Sequence, residues 1–111
     1  MQIDVERQGA VTILRPRGPL VQKDADALRQ KGLDAIGGAL GRVVIDAAQV
    51  AYLDSSGIEA LLDLADELAN AGQVLKLCGV NETVREVFEV TETDSQFEHF
   101  EDVPAAVRSF L

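Results

Sequence analysis

The run Asp54-Ser55-Ser56-Gly57 combines a carboxylate, two hydroxyls and a residue without a side chain at the predicted start of a helix. Ser56 and Glu59 have the spacing of a capping box, in which the serine accepts a hydrogen bond from a backbone N–H of the first turn. With Ser56 as the cap, Ser55 lies just outside the helix with a free hydroxyl, and Asp54 adds negative charge beside it. Gly57 lacks a Cβ, so we expect it to let another molecule approach the backbone closely.

Nucleophilic catalysis is one use for such a hydroxyl, with Ser55 activated by His99 and Asp54. Ser55 lacks the Gly-x-Ser-x-Gly elbow, and the adjacent Asp54 cannot easily orient a histidine that itself contacts Ser55. His99 alternates with aromatic residues on a predicted edge strand, Phe97 to Phe100, which favours a solvent-facing histidine. We therefore expect no catalytic residue and no enzyme.

Nucleotide binding is a second candidate function, suggested by the glycines of the segment 37–41, Gly-Gly-Ala-Leu-Gly. This segment follows a helix and precedes a strand, the reverse of a phosphate-binding loop, and no Lys-Ser or Lys-Thr follows it. We therefore predict a loop and no cofactor. Cys78 is the only cysteine, so the sequence provides no internal disulfide and no cysteine-based metal cluster, and we expect a buried thiol.

The composition narrows the class of partner. The 111 residues, 47% of them hydrophobic, suit one compact domain spanning positions 1–111. The 19 acidic and 10 basic residues leave a net charge of −9, which repels nucleic acids and anionic lipid surfaces and favours encounter with basic proteins, or only serves solubility. Apolar runs are too short to span a bilayer and no signal core is present, so we expect a cytoplasmic protein without membrane insertion.

Strand patterns and helix patterns alternate along the chain. Alternating apolar residues predict a half-buried hairpin that turns near Gln8-Gly9, and later apolar runs predict further strands. These runs are Val43–Ile45, expected to be buried on both faces, Val74–Leu77, and the edge strand Phe97–Phe100.

Apolar residues at helical spacing predict two long helices and two short ones. The first long helix carries Ala25, Leu28, Leu33, Ile36 and Leu40, and the second starts near Ser56 and stops at Asn70-Ala71-Gly72. Asn81 and Asp102 are predicted caps of the short helices, with Pro104 in the first turn of the last one.

Leu64 does not fit the apolar stripe of the second long helix, so we expect it to be exposed. Beside it, Asp63, Asp66 and Glu67 form an acidic face that is either an additional docking surface or simply solvated.

The element order β-β-α-β-α-β-α-β-α predicts an α/β fold with a mixed central sheet of four to five strands, covered by about four helices. Right-handed crossovers make the inner strands parallel and place both long helices on the same face if consecutive strands are neighbours.

The segment from Asp46 to Gly57 resembles the signature of the STAS domain family, in which an apolar strand ending in Asp or Asn is followed at fixed spacing by an apolar residue and Asp-Ser-Ser-Gly. Asp46, Val50, Leu53 and the run 54–57 match it without a gap. The chain resembles the anti-sigma-factor antagonists of this family over nearly its whole length, including a Gly-x-Leu element at Gly18-Pro19-Leu20 and the order of the elements.

This resemblance implies a STAS-like fold and a partner switch. In that group the unphosphorylated domain binds an anti-sigma factor that is also a serine kinase, phosphorylation of the first serine ends the binding, and a phosphatase restores it. By motif position the phosphoacceptor is Ser55, and the implied partner-binding residues are Asp54, Ser55, Ser56, Gly57, Leu20 and Val21. We expect a monomer or a weak homodimer.

Two positions depart from the antagonist pattern. Val21 stands where an acidic residue is common, and Pro19 stands where a glutamate is frequent, so we expect the partner contact to differ accordingly. The polar run Gln22-Lys23-Asp24 is a candidate source of the missing polarity. STAS domains also serve as scaffold subunits of stress-sensing assemblies and as accessory subunits of membrane transport systems, and both remain alternatives.

Overall fold

A computed structural model describes residues 1–38 and 41–111. These residues form a five-stranded sheet, four α-helices and one short 3-10 turn. The strands are β1 Gln2–Gln8, β2 Val11–Arg17, β3 Val43–Asp46, β4 Leu75–Cys78 and β5 Phe97–Phe100. The helices are α1 Gln22–Gly38, α2 Ser55–Asn70, α3 Glu82–Val90 and α4 Val103–Arg108, with the 3-10 turn at Asp94–Gln96. The predicted element order is confirmed, while the glycine-rich segment 37–41 and the predicted helical Leu40 lie partly or wholly outside the described residues.

The strand order in the sheet is β1-β2-β3-β4-β5. The hairpin pair β1 and β2 is antiparallel, and every later pair is parallel. Parallel pairing follows from the helical crossovers, because a chain that leaves one end of a strand must return to the other end before it can pair in the same direction. The prediction of a mixed sheet with parallel inner strands is confirmed.

One face of the sheet carries the main core. Leu28 of α1, Leu61 and Leu68 of α2, and Phe88 of α3 pack in one cluster with sheet residues such as Ile45. The two long helices therefore lie on the same face, as predicted. Ala106 of α4 packs with residues of the opposite face, namely Val11, Ile13, Val44 and Cys78.

Burial on both faces also explains a wrong prediction about β2. We expected half-buried alternation there, yet Val11, Thr12, Ile13 and Leu14 are all buried. The helix α4 covers the side of Val11 and Ile13, and the helix layer of α1 and α2 covers the side of Leu14. The helix α4 comes from the end of the chain, so the pattern of β2 alone does not reveal it.

Leu64 was predicted to be exposed, and this prediction is wrong, because its side chain is 1% exposed. It lies against Gly32 of α1, where an added Cβ would come within 2.5 Å of Leu64 Cδ2. The missing side chain at Gly32 thus provides the space that Leu64 fills. Leu33, which the pattern placed in the apolar stripe of α1, is 36% exposed instead.

Lys76 fixes α4 to the sheet through a cation that is almost fully buried. Its ammonium donates to Ser109 Oγ at 2.6 Å and lies 3.9 Å from the centre of the Phe110 ring. Such a cation over an aromatic face is attracted by the ring quadrupole. The apolar pattern that predicts the strand Val74–Leu77 gives no sign of this contact.

The predicted buried thiol is confirmed, because Cys78 is 0% exposed. Burial is the main reason that the pKa of Cys78 is raised to about 12, and the nearby Asp46 carboxylate adds to the effect. No helix of the described residues has the length and apolarity needed to cross a membrane.

Candidate functional site

The loop that leads to the serines starts from a braced turn at the end of β3. Asp46, nearly buried, accepts a hydrogen bond from Arg15 Nε at 2.8 Å through one carboxylate oxygen. Its other oxygen accepts from the Ala48 N–H at 3.1 Å. Hydrogen bonds to both oxygens satisfy a carboxylate that would otherwise be costly to bury. The acidic residue at the end of the signature strand therefore fixes the first turn of the loop.

Asn81 braces the middle of the same loop. Its side-chain amide nitrogen donates to the carbonyls of Val50 and Ala51, at 3.3 and 3.1 Å. Its side-chain oxygen accepts from the Val84 N–H at 2.8 Å, which confirms the predicted cap of α3. One side chain thus both starts α3 and holds the loop before Leu53.

The last residues of the loop pair with the segment that precedes α1. The Leu20 N–H donates to the Tyr52 carbonyl at 3.1 Å, and the Asp54 N–H donates to the Leu20 carbonyl at 3.2 Å. These bonds form a one-residue parallel bridge between Leu20 and Leu53, whose side chains are both buried. The Gly-x-Leu element and the signature therefore meet in space.

Asp54, not Ser56, caps α2, so the predicted capping box is wrong. Asp54 has extended backbone angles and its Oδ1 accepts from the Gly57 N–H at 3.0 Å, while Ser55 and Ser56 already belong to the helix. Aspartate and serine are comparable N-caps, and here the extended pairing with Leu20 continues through Asp54, so the helix starts one residue after it.

The second oxygen of the Asp54 carboxylate holds the start of the other long helix. Asp54 Oδ2 accepts from the N–H of Gln22, the first residue of α1, at 3.2 Å. Both helix N-termini, where the partial charge is positive, thus face the same carboxylate. Asp102, by contrast, caps a single helix: it accepts from the Ala105 N–H at 2.9 Å at the start of α4, as predicted.

Gly57 is not an opening for a partner, in contrast to our expectation. It is buried, and an added Cβ would overlap the Leu20 carbonyl oxygen and lie 3.0 Å from the Leu53 Cβ. The missing side chain admits a neighbouring segment of the same chain rather than another molecule.

The predicted site residues differ in accessibility. Ser55 is exposed, Asp54, Ser56 and Val21 are half-buried, and the side chain of Leu20 is 1% exposed. The Asp54–Gln22 bond brings the segment around Val21 beside the start of α2. Leu20 and Gly57 therefore support the surface from beneath, while Ser55 and Val21 reach it.

Tyr52 is a surface residue that the sequence reasoning missed. Its side chain is 53% exposed, although its backbone is held by Leu20. The sequence did contain a signal for this exposure. Tyr52 directly precedes the apolar Leu53, and successive side chains of an extended segment point to opposite sides, so a buried Leu53 places Tyr52 on the surface.

His99 was predicted to face solvent, and this prediction is wrong. Its side chain is 12% exposed and its ring lies 6.0 Å from that of Phe88, with Nε2 2.9 Å from Asp94 Oδ1. Burial and then the Arg85 guanidinium lower the pKa of His99, against the smaller opposite effect of Asp94. The helix α3 and the turn before β5 cover a residue that the strand pattern left open.

Solved structures of other proteins share the fold of this chain. An anti-sigma-factor antagonist (STAS) domain protein from Planctomyces limnophilus is 26% identical, with a TM-score of 0.83 over 96% of each chain. The phosphorylated form of the Bacillus cell fate determinant SpoIIAA is 22% identical, with a TM-score of 0.74 over 97% of this chain and 99% of that one.

The fold also occurs inside a larger protein. The murine Solute Carrier 26 family member A9 anion transporter matches at 21% identity and a TM-score of 0.70, over 95% of this chain and 18% of the transporter.

No curated protein sequence matches significantly. The family model described as "STAS domain" matches residues 2–106, nearly the whole sequence. The chain belongs to the STAS domain family.

Proposed function

We propose that this chain is a phosphorylation-controlled protein-binding switch that acts in the cytoplasm as an anti-sigma factor antagonist, with Ser55 as the phosphoacceptor. Unphosphorylated, it binds an anti-sigma factor that is also a serine kinase; phosphorylation ends the binding, and a serine phosphatase restores it. It is a binding protein and not an enzyme in this proposal.

The observation that carries this proposal is the contrast between Ser55 and its neighbours. Ser55 is exposed in the first turn of α2, while Asp54 and Gly57 beside it are fixed by hydrogen bonding and by packing against Leu20. A modifying enzyme can therefore reach the Ser55 hydroxyl, while the residues on either side of it are held by contacts within the fold. The solved structure of phosphorylated SpoIIAA supports the proposal, because that protein shares the fold and carries a phosphate.

A phosphate on Ser55 would change the surface far more than the fold. It adds about −1.5 to −2 charges. The N-terminus of α2 favours an anion there by roughly 0.3–1 kcal/mol, and repulsion from Asp54 opposes that gain, so the net effect on stability is small. Burying the same dianion under a partner without a matching cation costs several kcal/mol. Each 1.4 kcal/mol is about a tenfold change in affinity, so we expect binding to weaken a hundredfold or more.

The test compares three forms of the chain as bait: wild type, Ser55→Ala and Ser55→Asp. We expect wild type and Ser55→Ala to retain the same protein with serine-kinase activity, and Ser55→Asp to lose it while its circular dichroism spectrum stays that of the wild type. Incubation of the purified kinase with ATP should label wild type and not Ser55→Ala. Labelled Ser55→Ala, or equal binding by all three forms, contradicts the proposal.

An accessory role in a membrane transport system is a second candidate, supported by the occurrence of the same fold in the murine anion transporter. A STAS scaffold in a stress-sensing assembly is the related alternative. Solution mass separates them from the switch, because a large homo-assembly indicates a scaffold, whereas a membrane transporter as the retained protein indicates the accessory role.

A further inference from the structure

The Asp54 carboxylate connects two helix starts that are far apart in the sequence. Gln22 and Asp54 are 32 positions apart, and the hydrogen bond from the Gln22 N–H to the Asp54 side chain joins the start of α1 to the signature. The other oxygen is occupied by the Gly57 N–H. Any group that draws this carboxylate away from its present place therefore acts on both helices.

Gln22 is held in an unfavourable backbone conformation. Its φ is +47°, in the left-handed region that residues with a side chain adopt rarely. Such a conformation persists only when surrounding contacts impose it. Three contacts impose it here. Leu20 pairs with residues 52 and 54, the Asp24 N–H donates to the Val21 carbonyl, and the Gln22 N–H donates to Asp54. Loss of the Asp54 bond removes one restraint and lets the segment relax.

We propose that Asp54 is a positioning residue through which a phosphate on Ser55 acts on the start of α1 and changes the surface around Val21 and Gln22. This inference rests on the proposed phosphorylation of Ser55. The phosphate sits on the residue next to Asp54, so its charge repels the carboxylate that Gln22 needs. The switch then presents its partner with two changes, a new charge at Ser55 and an altered segment at Val21.

The chain itself supplies a matched control. Asp54→Asn keeps one side-chain oxygen to cap α2, since asparagine is an N-cap as good as aspartate. It removes the charge that a phosphate repels, and its amide nitrogen cannot accept from Gln22. A second control is a phosphate at Ser95, which is exposed in the 3-10 turn before β5.

The experiment installs phosphoserine at position 55 during synthesis and follows backbone amides by NMR in the absence of any partner. With Asp54 present, we expect the Gln22 amide to exchange with solvent about tenfold faster and the Val21 and Asp24 amides to shift. In the Asp54→Asn chain, the Gln22 amide should exchange fast even without the phosphate, and phosphoserine at 55 should change its exchange rate by less than about twofold. Phosphoserine at 95 should leave Gln22 unchanged.

Two results overturn the inference: no change at Gln22 upon phosphorylation, or the same change in the Asp54→Asn chain. A further variant, Gln22→Gly, adopts a positive φ without strain, so the phosphate should shift Val21 less in it. This experiment contains no partner, so its result is independent of the binding test. The phosphate can abolish partner binding without affecting Gln22, and it can affect Gln22 without abolishing partner binding. The two proposals are therefore tested separately.

Discussion

The carbonyl oxygen of Leu20 occupies the space in which a side chain at Gly57 would begin. This contact joins the Gly-x-Leu element to the first turn of α2, and it explains why a glycine is required inside a helix where alanine would otherwise be favoured. The same contact means that the backbone around Ser55 depends on residues from the other side of the parallel bridge.

Replacing Gly57 by alanine should lower the free energy of unfolding by about 1–3 kcal/mol, because the new methyl group overlaps backbone that cannot rotate away. Gly37, in the last part of α1, is the matched control, since no described atom lies within 4 Å of an added Cβ there. Gly37→Ala should be neutral or stabilise by up to about 1 kcal/mol. Urea denaturation of both variants checks this, and equal stabilities would contradict the contact with Leu20.

Replacing Asp54 by alanine should cost about 1–2 kcal/mol of stability, because α2 loses its cap and α1 loses the Gln22 bond. Ser56→Ala, by contrast, should change the stability by less than about 0.5 kcal/mol, since Ser56 is no cap. Thermal and chemical unfolding of the two variants decide between the caps. A larger loss for Ser56→Ala would restore the capping box that the sequence suggested.

Tyr52 should contribute to partner binding through its exposed ring. Three residues of chain span about 10 Å at most, and a typical interface covers about 800 Å² of each partner, so a protein that covers Ser55 also covers Tyr52. Tyrosine is enriched among residues that dominate binding energy.

We therefore expect Tyr52→Ala to weaken binding of the protein retained by the wild type about tenfold or more, with Tyr52→Phe close to wild type. Val90→Ala serves as the control, because Val90 is 77% exposed at the end of α3. Titration calorimetry with the purified partner measures both. An equal effect of the two alanine variants would remove Tyr52 from the interface.

The stability of the fold should fall in acid partly through His99. Its pKa in the folded chain lies below the ordinary value of 6.5, so the unfolded chain binds more protons in the window just below pH 6.5. The contribution of neutral His99 is therefore complete above that pH and is lost as the pH falls through the lowered pKa. His99→Gln should flatten the pH dependence of unfolding in the window below pH 6.5, and ring NMR signals should titrate below pH 6.5. A ring that titrates above that value would reverse the expected direction.

Much of the fold follows from local patterns in the sequence. The strand Val43–Asp46 is apolar throughout because both its faces are covered, and the caps Asn81 and Asp102 act on residues three positions later, within reach of any sequence analysis. These features depend on neighbours along the chain, and so they were predicted correctly.

The errors share one cause, which is contact between separate elements of the fold. Leu64 is buried because Gly32 leaves room for it, and His99 is covered by α3 and the Asp94 turn. At the site, the choice of Asp54 over Ser56 as cap follows its extended pairing with Leu20. None of these partners is visible in the periodicity of the element concerned, so the position of the serines was predictable and the division of roles among them was not.

The bracing of the loop by Asn81 and of Asp54 by the start of α1 has a practical consequence for reagents. A synthetic peptide that copies residues 46–60 contains every residue of the signature, yet it lacks Asn81, Leu20 and Gln22, whose contacts hold this segment in its folded conformation. Such a peptide should be a poor competitor for the partner. Likewise, grafting the four-residue motif onto another helix transfers a modifiable serine without the surface around it, so an engineered switch has to carry the Gly-x-Leu segment along with it.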